Sequence, residues 1–427
     1  MVVKSTALPP LFGNGMPLLE GLYLRSYGPV DHNLDVCLTS QRFPRLQTLE
    51  LVNTLAPHDL SLYAQLHTLE LNHCYHILPF EGFLNALAAS VQLEELIIFI
   101  LPDISSGSER TRNLGPFLYG APTVLLPRLR TFTVTGNSIA GMSRFLAHLY
   151  LQPSAVLDIH VDARGLHVPA DDSDTPNTTL SYSAMLPPDP SATLPSLAMA
   201  TAVCTRIQES SGDCQLRYEY PSPVDSEVLP DSDPQVTTAT LSLQLHHSQG
   251  NAFMRTALND LVRCFRLSPL TSLEVKGNHA YGTVAAWESV FRAFPLLEEL
   301  VIDSWFGDPL SDVTVVFRGL HAASTSPVDV RSGSGSPSGD PPALEVACAN
   351  LQCVYVRGMG LVEAYEALRE CFRWRGERGV VVKVLDLTNL RDQDAAAADV
   401  RSALVEDLQG AVETLRVYSS PKRRGGG

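Results

Sequence analysis

Apolar residues recur along the chain in one short pattern. Residues Phe43–Leu51 read FPRLQTLEL, which fits apolar-Pro-x-Leu-x-x-apolar-x-apolar. Three further stretches fit the same pattern, and they begin at Met16, Leu126 and Phe294. The shorter core L-x-x-L-x-L begins at Leu66, Leu93 and Leu270, and looser copies begin at Leu351, Val382 and Val412. Three of the intervals between repeat starts are 27 residues. Such recurrence predicts a repeat architecture in which each unit buries its apolar face against the next.

The end of each unit predicts a short β-strand. Its last three positions alternate apolar, polar and apolar, which is the pattern of a strand with one buried face. The residue before a proline is pushed towards extended geometry, and proline lacks a backbone donor, so proline suits the start of a strand and not its interior. We therefore expect one strand per unit.

Helical stripes lie between several of these strands. Apolar residues at i, i+3, i+4 and i+7 mark one face of a helix, and this spacing is met within Phe253–Phe265, Val284–Phe294 and Val362–Phe372. Because a strand-helix repeat must bury that face, the stripes favour a shared core over a cofactor-binding box.

The repeated L-x-x-L-x-L core resembles that of leucine-rich-repeat proteins. The FPRLQTLEL and FPLLEELVI segments, the irregular unit lengths and the large mid-chain insertions are similar to the repeat region of fungal F-box/leucine-rich-repeat proteins. The resemblance covers roughly residues 16–160 and 236–420. It implies an α/β leucine-rich-repeat solenoid, with a curved parallel sheet and helices on the convex side. It also implies a non-catalytic function, which is substrate recognition for a ubiquitin ligase.

The resemblance does not extend to an F-box, which would be a short helical segment that opens with Leu-Pro and Glu before the repeats. Here Leu8-Pro9-Pro10-Leu11 leads into glycine-rich sequence. We expect either a truncated gene or repeats that act alone, and a ligase adaptor as partner only if an F-box is supplied upstream. The alternative function is a stand-alone cytosolic leucine-rich-repeat scaffold or inhibitor unconnected to ubiquitin ligases.

The predicted organisation is a single solenoid over residues 16–420, with an N-terminal extension (1–15) and a disordered tail (421–427). Two insertions interrupt the repeat pattern. The one at about 167–196 is rich in Asp, Pro, Ser and Thr, and the one at about 322–342 has almost no apolar content. Both compositions are typical of disordered loops. Residues 215–220 and 241–245 alternate as strands do and are interpreted as irregular repeats.

Composition and charge narrow the function further. The formal net charge is −15, which disfavours a nucleic-acid binder, because such proteins need a basic surface to neutralise phosphates. The longest apolar run is Leu96–Leu101, far shorter than the roughly 20 residues of a membrane-spanning helix. The N-terminus lacks the features of a signal peptide, and 8 cysteines are no disulfide framework in a chain of this length. We expect a cytoplasmic or nuclear protein that binds neither nucleic acid nor membrane.

No catalytic or metal-binding constellation emerges from the residues. His73-Cys74-Tyr75-His76 is the densest set of potential ligands, but no C-x-x-C lies nearby, and Cys74 occupies a position where leucine-rich repeats favour Asn or Cys. Neither a G-x-S-x-G elbow nor a Walker-type loop is present. The sequence therefore predicts no enzyme, no cofactor and no metal site. A cluster of groups with perturbed pKa values in a deep pocket would revive an enzymatic function.

The outward side of the predicted sheet carries the candidate binding residues. In an L-x-x-L-x-L strand, the residues before and after the second apolar position point away from the core, and parallel strands about 4.8 Å apart align them into columns. Five glutamates occupy these columns on the predicted concave side: Glu50, Glu70, Glu95, Glu274 and Glu299. They form either a solvated face or a docking surface for a basic protein partner, through electrostatic complementarity.

Overall fold

The computed structural model describes residues 15–26, 38–74, 80–99, 124–161, 181–210, 213–221, 238–243, 253–304, 313–325, 346–358, 361–390, 396–408 and 410–419. The chain divides into two compact units. Unit 1 comprises Met1–Ala200 and Arg217–His247, and unit 2 comprises Thr201–Leu216 and Ser248–Gly427.

Unit 1 contains a sheet of six parallel strands. In spatial order they are β1 (Gly21–Arg25), β2 (Thr48–Val52), β3 (Thr68–Asn72), β4 (Glu95–Phe99), β6 (Thr131–Gly136) and β8 (Val156–Val161). The two-residue strands β5 (Val124–Leu125) and β7 (Leu149–Tyr150) pair with each other, and β11 (Thr238–Leu243) also belongs to this unit. The helices are α1 (Leu60–Tyr63), α2 (Phe80–Ala89), α3 (Ile139–Ala147), α4 (Tyr182–Met185), α5 (Pro190–Thr193) and α6 (Pro195–Ala198).

Unit 2 also contains six parallel strands. Their order is β9 (Ala202–Ser210), β12 (Ser272–Lys276), β13 (Glu299–Asp303), β14 (Cys353–Arg357), β15 (Val382–Leu390) and β16 (Val412–Ser419). The helices are α7 (Phe253–Phe265), α8 (Val284–Ala293), α9 (Thr314–Thr325), α10 (Leu361–Glu377) and α11 (Ala396–Asp407), with a 3₁₀ helix over His279–Tyr281. Strand β10 (Asp213–Pro221) has residues in both units.

One face of each sheet is buried, because apolar and polar residues alternate along the strands. Fully buried strand residues include Leu49, Leu69 and Leu96 in unit 1 and Leu273, Leu300 and Val354 in unit 2. The helices supply the other side of each core. Phe145 of α3, for example, packs its ring 6.3 Å from that of Phe132 on β6. The opposite sheet face is therefore left to the polar positions of the repeat.

Two kinds of backbone hydrogen bond recur between neighbouring repeats in both units. Before many of the strands, one carbonyl accepts two N–H groups of the following repeat. Examples at 2.7–3.0 Å are Gln47 O with His67 N and Thr68 N, and Thr271 O with Glu298 N and Glu299 N. After six of the described strands, the next residue donates its N–H to the neighbouring strand. These bonds, at 2.9–3.2 Å, run from Ser26 to Val52, Asn53 to Asn72, His73 to Phe99, Gly277 to Asp303, Ser304 to Arg357 and Gly358 to Thr388.

The turn after the strand often needs a left-handed backbone. Gly358 has φ 76°, and a Cβ there would lie 2.5 Å from Ser304 O, so this position requires glycine. In unit 1, Asn53 and His73 take the corresponding conformation with φ 52° and 51°. The same hydrogen bond is thus donated by a glycine in one repeat and by a left-handed asparagine or histidine in two others.

The α/β class with parallel sheets is confirmed. All ten predicted repeat strands are present, as β1–β4, β6 and β12–β16, and the described parts of 215–220 and 241–245 lie in β10 and β11. That one curved leucine-rich-repeat solenoid runs through both units stays a prediction. Among the described helices, none has the length and apolar character needed to cross a bilayer.

Four of the described strands were not predicted: the two-residue strands β5 and β7, and the longer strands β8 and β9. Just before β8 and β9, where other repeats have their first leucine, the chain has Ala155, which is 1% exposed, and Ala200. Ala200 is also buried. A small residue can fill this core position, so a search for leucine alone overlooks the unit.

The first predicted disordered insertion differs from the structure over residues 181–196, which form α4, α5 and the start of α6. Tyr182, Met185 and Leu194 are fully buried there. Pro190 and Pro195 stand in the first turns of their helices, where proline is favoured. The Pro/Ser composition therefore supplies helix starts and not a loop. Residues 322–325 end α9, whereas 167–180, 326–342, 1–14 and 421–427 lie outside the described residues.

Candidate functional site

Three of the five predicted glutamates lie together on the outward face of the unit 1 sheet. Glu50 on β2 and Glu70 on β3 are register partners, and Ile97 continues their row on β4. Glu95 lies one row away, in register with Thr68. All three glutamates are half-buried. We call Glu50, Glu70 and Glu95 the acidic face.

The carboxylates of the acidic face are not neutralised within the described part of unit 1. No ion pair joins any of them to a described cation. Burial, together with the charges of Glu50 and Glu95, raises the pKa of Glu70 above its ordinary value. The three groups therefore repel one another at neutral pH, which costs stability unless a cation approaches.

Basic side chains on the same sheet are engaged elsewhere. Glu94, just before β4, lies 3.6 Å from His67 and 3.8 Å from Arg130. On β8, His160 is 2.6 Å from Asp158. The acidic face instead borders the half-buried apolar side chains of Ile97 and Phe99. A ligand for this surface would combine positive charge with apolar groups.

The other two predicted glutamates lie in unit 2 and have partners there. Glu274 Oε1 is 2.8 Å from Lys276 Nζ on the same strand. Burial alone would raise the pKa of Glu274, but hydrogen bonds from Lys276 and Cys204 and the charges of Lys276 and Arg206 lower it. Glu299 Oε2 accepts a hydrogen bond from Ser272 Oγ at 3.0 Å. In unit 2, therefore, the charge of Glu274 is compensated by a lysine, and Glu299 has a hydrogen-bond donor beside it.

A buried histidine in unit 2 was not singled out from the sequence. His279 opens the 3₁₀ helix, has no exposed surface, and lies with its ring 6.0 Å from that of Trp287. Burial lowers its pKa to about 4, although the nearby backbone of Asp303 opposes the shift. The ring is therefore neutral at pH 7. Its position after a strand, in a predicted turn, gave no sign of this burial.

Three cysteines, at positions 74, 348 and 371, are buried in the core and have structural roles. Cys74 Sγ donates to Leu51 O at 3.3 Å, which suits its position in the repeat. Burial raises the pKa of Cys348 and of Cys371 to about 12, so both are protonated thiols at neutral pH and poor nucleophiles. No group of three or more His, Cys, Asp or Glu side chains within the described ranges could hold a metal ion.

Arg375, in the last turn of α10, is a core residue. It is 1% exposed and donates to Ala347 O and Cys348 O at 2.7 and 2.8 Å. The guanidinium thereby ties α10 to the turn before β14. It is not available to a nucleic acid.

A shallow groove of about 350 Å³ lies beside the starts of β2 and β3. Its lining includes Glu20, Arg45 and Gln65, and Gln65 Nε2 is held by Phe43 O at 2.7 Å. The lining offers neither a nucleophile with an adjacent base nor a set of metal ligands. Of the described surfaces, the acidic face remains the candidate site.

Searches with the whole chain against protein-family models and against curated proteins found no match to either.

Proposed function

We propose that the chain is a non-catalytic protein-binding module of the leucine-rich-repeat type, and that its acidic face receives a basic partner. The observation that carries this proposal is the adjacency of Glu50 and Glu70 on neighbouring strands, with Glu95 beside them and no described cation in ion-pair range. Juxtaposed like charges are a cost that folding alone does not explain. A cationic partner would relieve it.

The repeated backbone bonds support a solenoid. Each repeat contributes one parallel strand, and most repeats make the same pair of backbone hydrogen bonds to a neighbouring repeat. Stacked strand-helix units of this kind present one continuous sheet surface, which suits the recognition of a large partner. The predicted concave side would then be the side that carries the acidic face.

Complementary charge would act mainly on association rate and specificity. Partly exposed carboxylates attract a basic surface over about 8 Å at physiological salt, and more weakly as salt is added. Ile97 and Phe99 would add apolar contact next to the charges. Binding should therefore weaken with salt without being abolished.

A matched pair of charge reversals tests the proposal. Partners would be isolated with the full wild-type chain, and their affinities then measured for Glu50→Lys/Glu70→Lys and for the control Glu274→Lys/Glu299→Lys. Both double variants change the net charge equally. We expect the first to weaken binding by about tenfold or more and the second to leave it nearly unchanged. Equal binding by all three proteins would refute the role of the acidic face.

The cellular role divides into two proposals. By its resemblance to F-box/leucine-rich-repeat proteins, the chain would select substrates for a ubiquitin ligase. The second is a stand-alone scaffold or inhibitor. Recovery of the ligase adaptor with the chain would support the first proposal, and a stable partner without the adaptor would support the second.

A further inference from the structure

Within the described residues, the end strand β16 of unit 2 has one unpaired edge. β16 is last in the strand order and pairs only with β15 among the described strands. Leu415 and Val417 lie in register with Leu385 and Leu387, which are fully buried. Leu415 and Val417 are partly exposed all the same. The core-side row of apolar residues is therefore incomplete at this edge.

The end strand of unit 1 differs. Leu22 and Leu24 on β1 occupy the corresponding core-side positions and are only 2% and 3% exposed. β1 also pairs with only one described strand, but its core-side apolar row is complete. An unpaired edge next to partly exposed core-side residues is thus found at β16 and not at β1, and such an edge favours pairing with another strand.

The chemistry of β16 points to a second copy of itself. The strand runs over Val412–Ser419 and contains no proline, so the five residues 415–419 that an axis at Val417 brings together can all take part in backbone pairing. On its outward face, Arg416 and Tyr418 are exposed, Tyr418 by 54%. They lie two residues apart, on either side of Val417. When β16 pairs antiparallel with a second copy of itself about Val417, the arginine of each strand lies opposite the tyrosine of the other.

We propose that two copies of the chain associate through β16, paired antiparallel about a two-fold axis at Val417. A strand edge is self-complementary under such an axis. Val417 then meets Val417 of the partner subunit on the core side. On the outward face, Arg416 stacks on Tyr418 of the partner subunit, and the contact is made twice.

Other registers fit less well. An axis at Arg416 would set that residue against Arg416 of the partner subunit, and like charges directly opposite each other destabilise a strand pair. Head-to-tail pairing of β16 with β1 would form open chains, and it gains little, because Leu22 and Leu24 are already buried. The two-fold pair would carry two acidic faces, so it could bind a repetitive basic partner with avidity.

Sedimentation velocity of the full chain over a wide range of concentrations tests the proposal. We expect a reversible dimer and no larger species. Tyr418→Arg places two arginines opposite each other and should raise the dimer dissociation constant by about tenfold. The exchange Arg416→Tyr/Tyr418→Arg restores each arginine-tyrosine contact and should return the constant close to the wild-type value.

Val417→Glu should abolish the dimer, and Leu267→Arg, at a side chain 69% exposed before β12, should leave it intact. Thermal unfolding of each variant at a dilution where the wild type is monomeric would show that folding is unaffected. A wild-type chain that is monomeric throughout, a dimer that survives Val417→Glu, an exchange variant that fails to recover, or a series of larger species would each overturn the proposal.

Discussion

In unit 1, Glu50 and Glu70 face each other across neighbouring strands without a described cation in ion-pair range, whereas in unit 2 Glu274 lies 2.8 Å from Lys276 on its own strand. The two sheets are built alike, with parallel strands, alternating burial and the same kinds of backbone hydrogen bond between neighbouring repeats. They differ in the residue two positions further along the strand. That position is Val52 or Asn72 in unit 1 and Lys276 in unit 2.

This difference distinguishes a candidate binding site from a recurring position in the sequence repeat. A glutamate at the same repeat position is part of an internally neutral surface in one unit and of an uncompensated one in the other. Charge compensation by the strand's own neighbours, and not the position in the repeat, decides which glutamates are free to meet a partner. Glu274 and Glu299 therefore serve as controls for Glu50 and Glu70.

The largest predicted contrast between the units concerns a helix glycine in each. A Cβ at Gly319 in α9 would lie 2.4 Å from Trp287 Cβ in α8, so Gly319→Ala must push the two helices apart. We expect a loss of about 3 kcal/mol in the free energy of unfolding. Gly141→Ala in α3 meets only Ser138 Cβ at 3.3 Å and should change it by less than about 1 kcal/mol. Urea unfolding of both variants checks this, and equal shifts would contradict it.

Acid should weaken unit 2 through His279. Its pKa is lowered to about 4 in the fold and lies near 6.5 in the unfolded chain. Above pH 6.5 His279 is neutral in both states and costs no stability. As the pH falls from 6.5 through 4, the unfolded chain binds a proton that the folded protein does not, and the free energy of unfolding falls by about 3 kcal/mol. His279→Phe should remove this part of the pH dependence in urea unfolding measured from pH 7 to pH 4.

His148→Phe in unit 1 is the matched control for acid sensitivity. Burial, helped by the charge of Arg144, also lowers the pKa of His148, but this side chain is half-buried. Its replacement should change the pH dependence much less. An equal effect at both positions would remove this distinction between the units.

The smallest predicted effects on the free energy of unfolding are those of Glu70→Gln and Glu274→Gln, and they should have opposite signs. Glu70→Gln should stabilise the fold at pH 7, because the raised pKa of Glu70 shows that its charged form lowers the free energy of unfolding. This loss is complete above the folded pKa and disappears as the pH falls to the ordinary pKa of glutamate. Glu274→Gln should destabilise it, because the lowered pKa marks a gain that is lost as the pH falls through the folded pKa. Each effect should be about 0.5 kcal/mol.

Unfolding measurements at pH 7 and pH 3, in low and high salt, check the sign of both effects. Both should shrink in high salt, which screens exposed charges. Changes of the same sign in the free energy of unfolding would contradict the proposed difference in charge compensation between the two faces.

Sequence patterns predicted the strands because each strand needs its alternating apolar residues, whatever surrounds it. They overlooked β8 and β9, where the small residues Ala155 and Ala200 replace the first leucine. The pairing of Glu274 with Lys276 was readable in principle, since residues two apart on a strand share a face. The contact of Glu299 with Ser272 depends on the strand register, and the burial of His279 and Arg375 depends on packing between distant segments, so periodicity gives no sign of them.

The bonds that fix the two ends of each strand leave the chain between strands free to vary in length. Thr48 and Thr68 are register partners separated by 20 residues, and Glu299 and Cys353 are register partners separated by 54. Both pairs are aligned in regular parallel ladders, one in each unit, so the length of the connecting segment does not determine the alignment of the strands. Peptides, tags or whole domains inserted between Thr325 and the turn before Cys353 should leave the strand register intact, which makes that connection a natural place to attach a reporter.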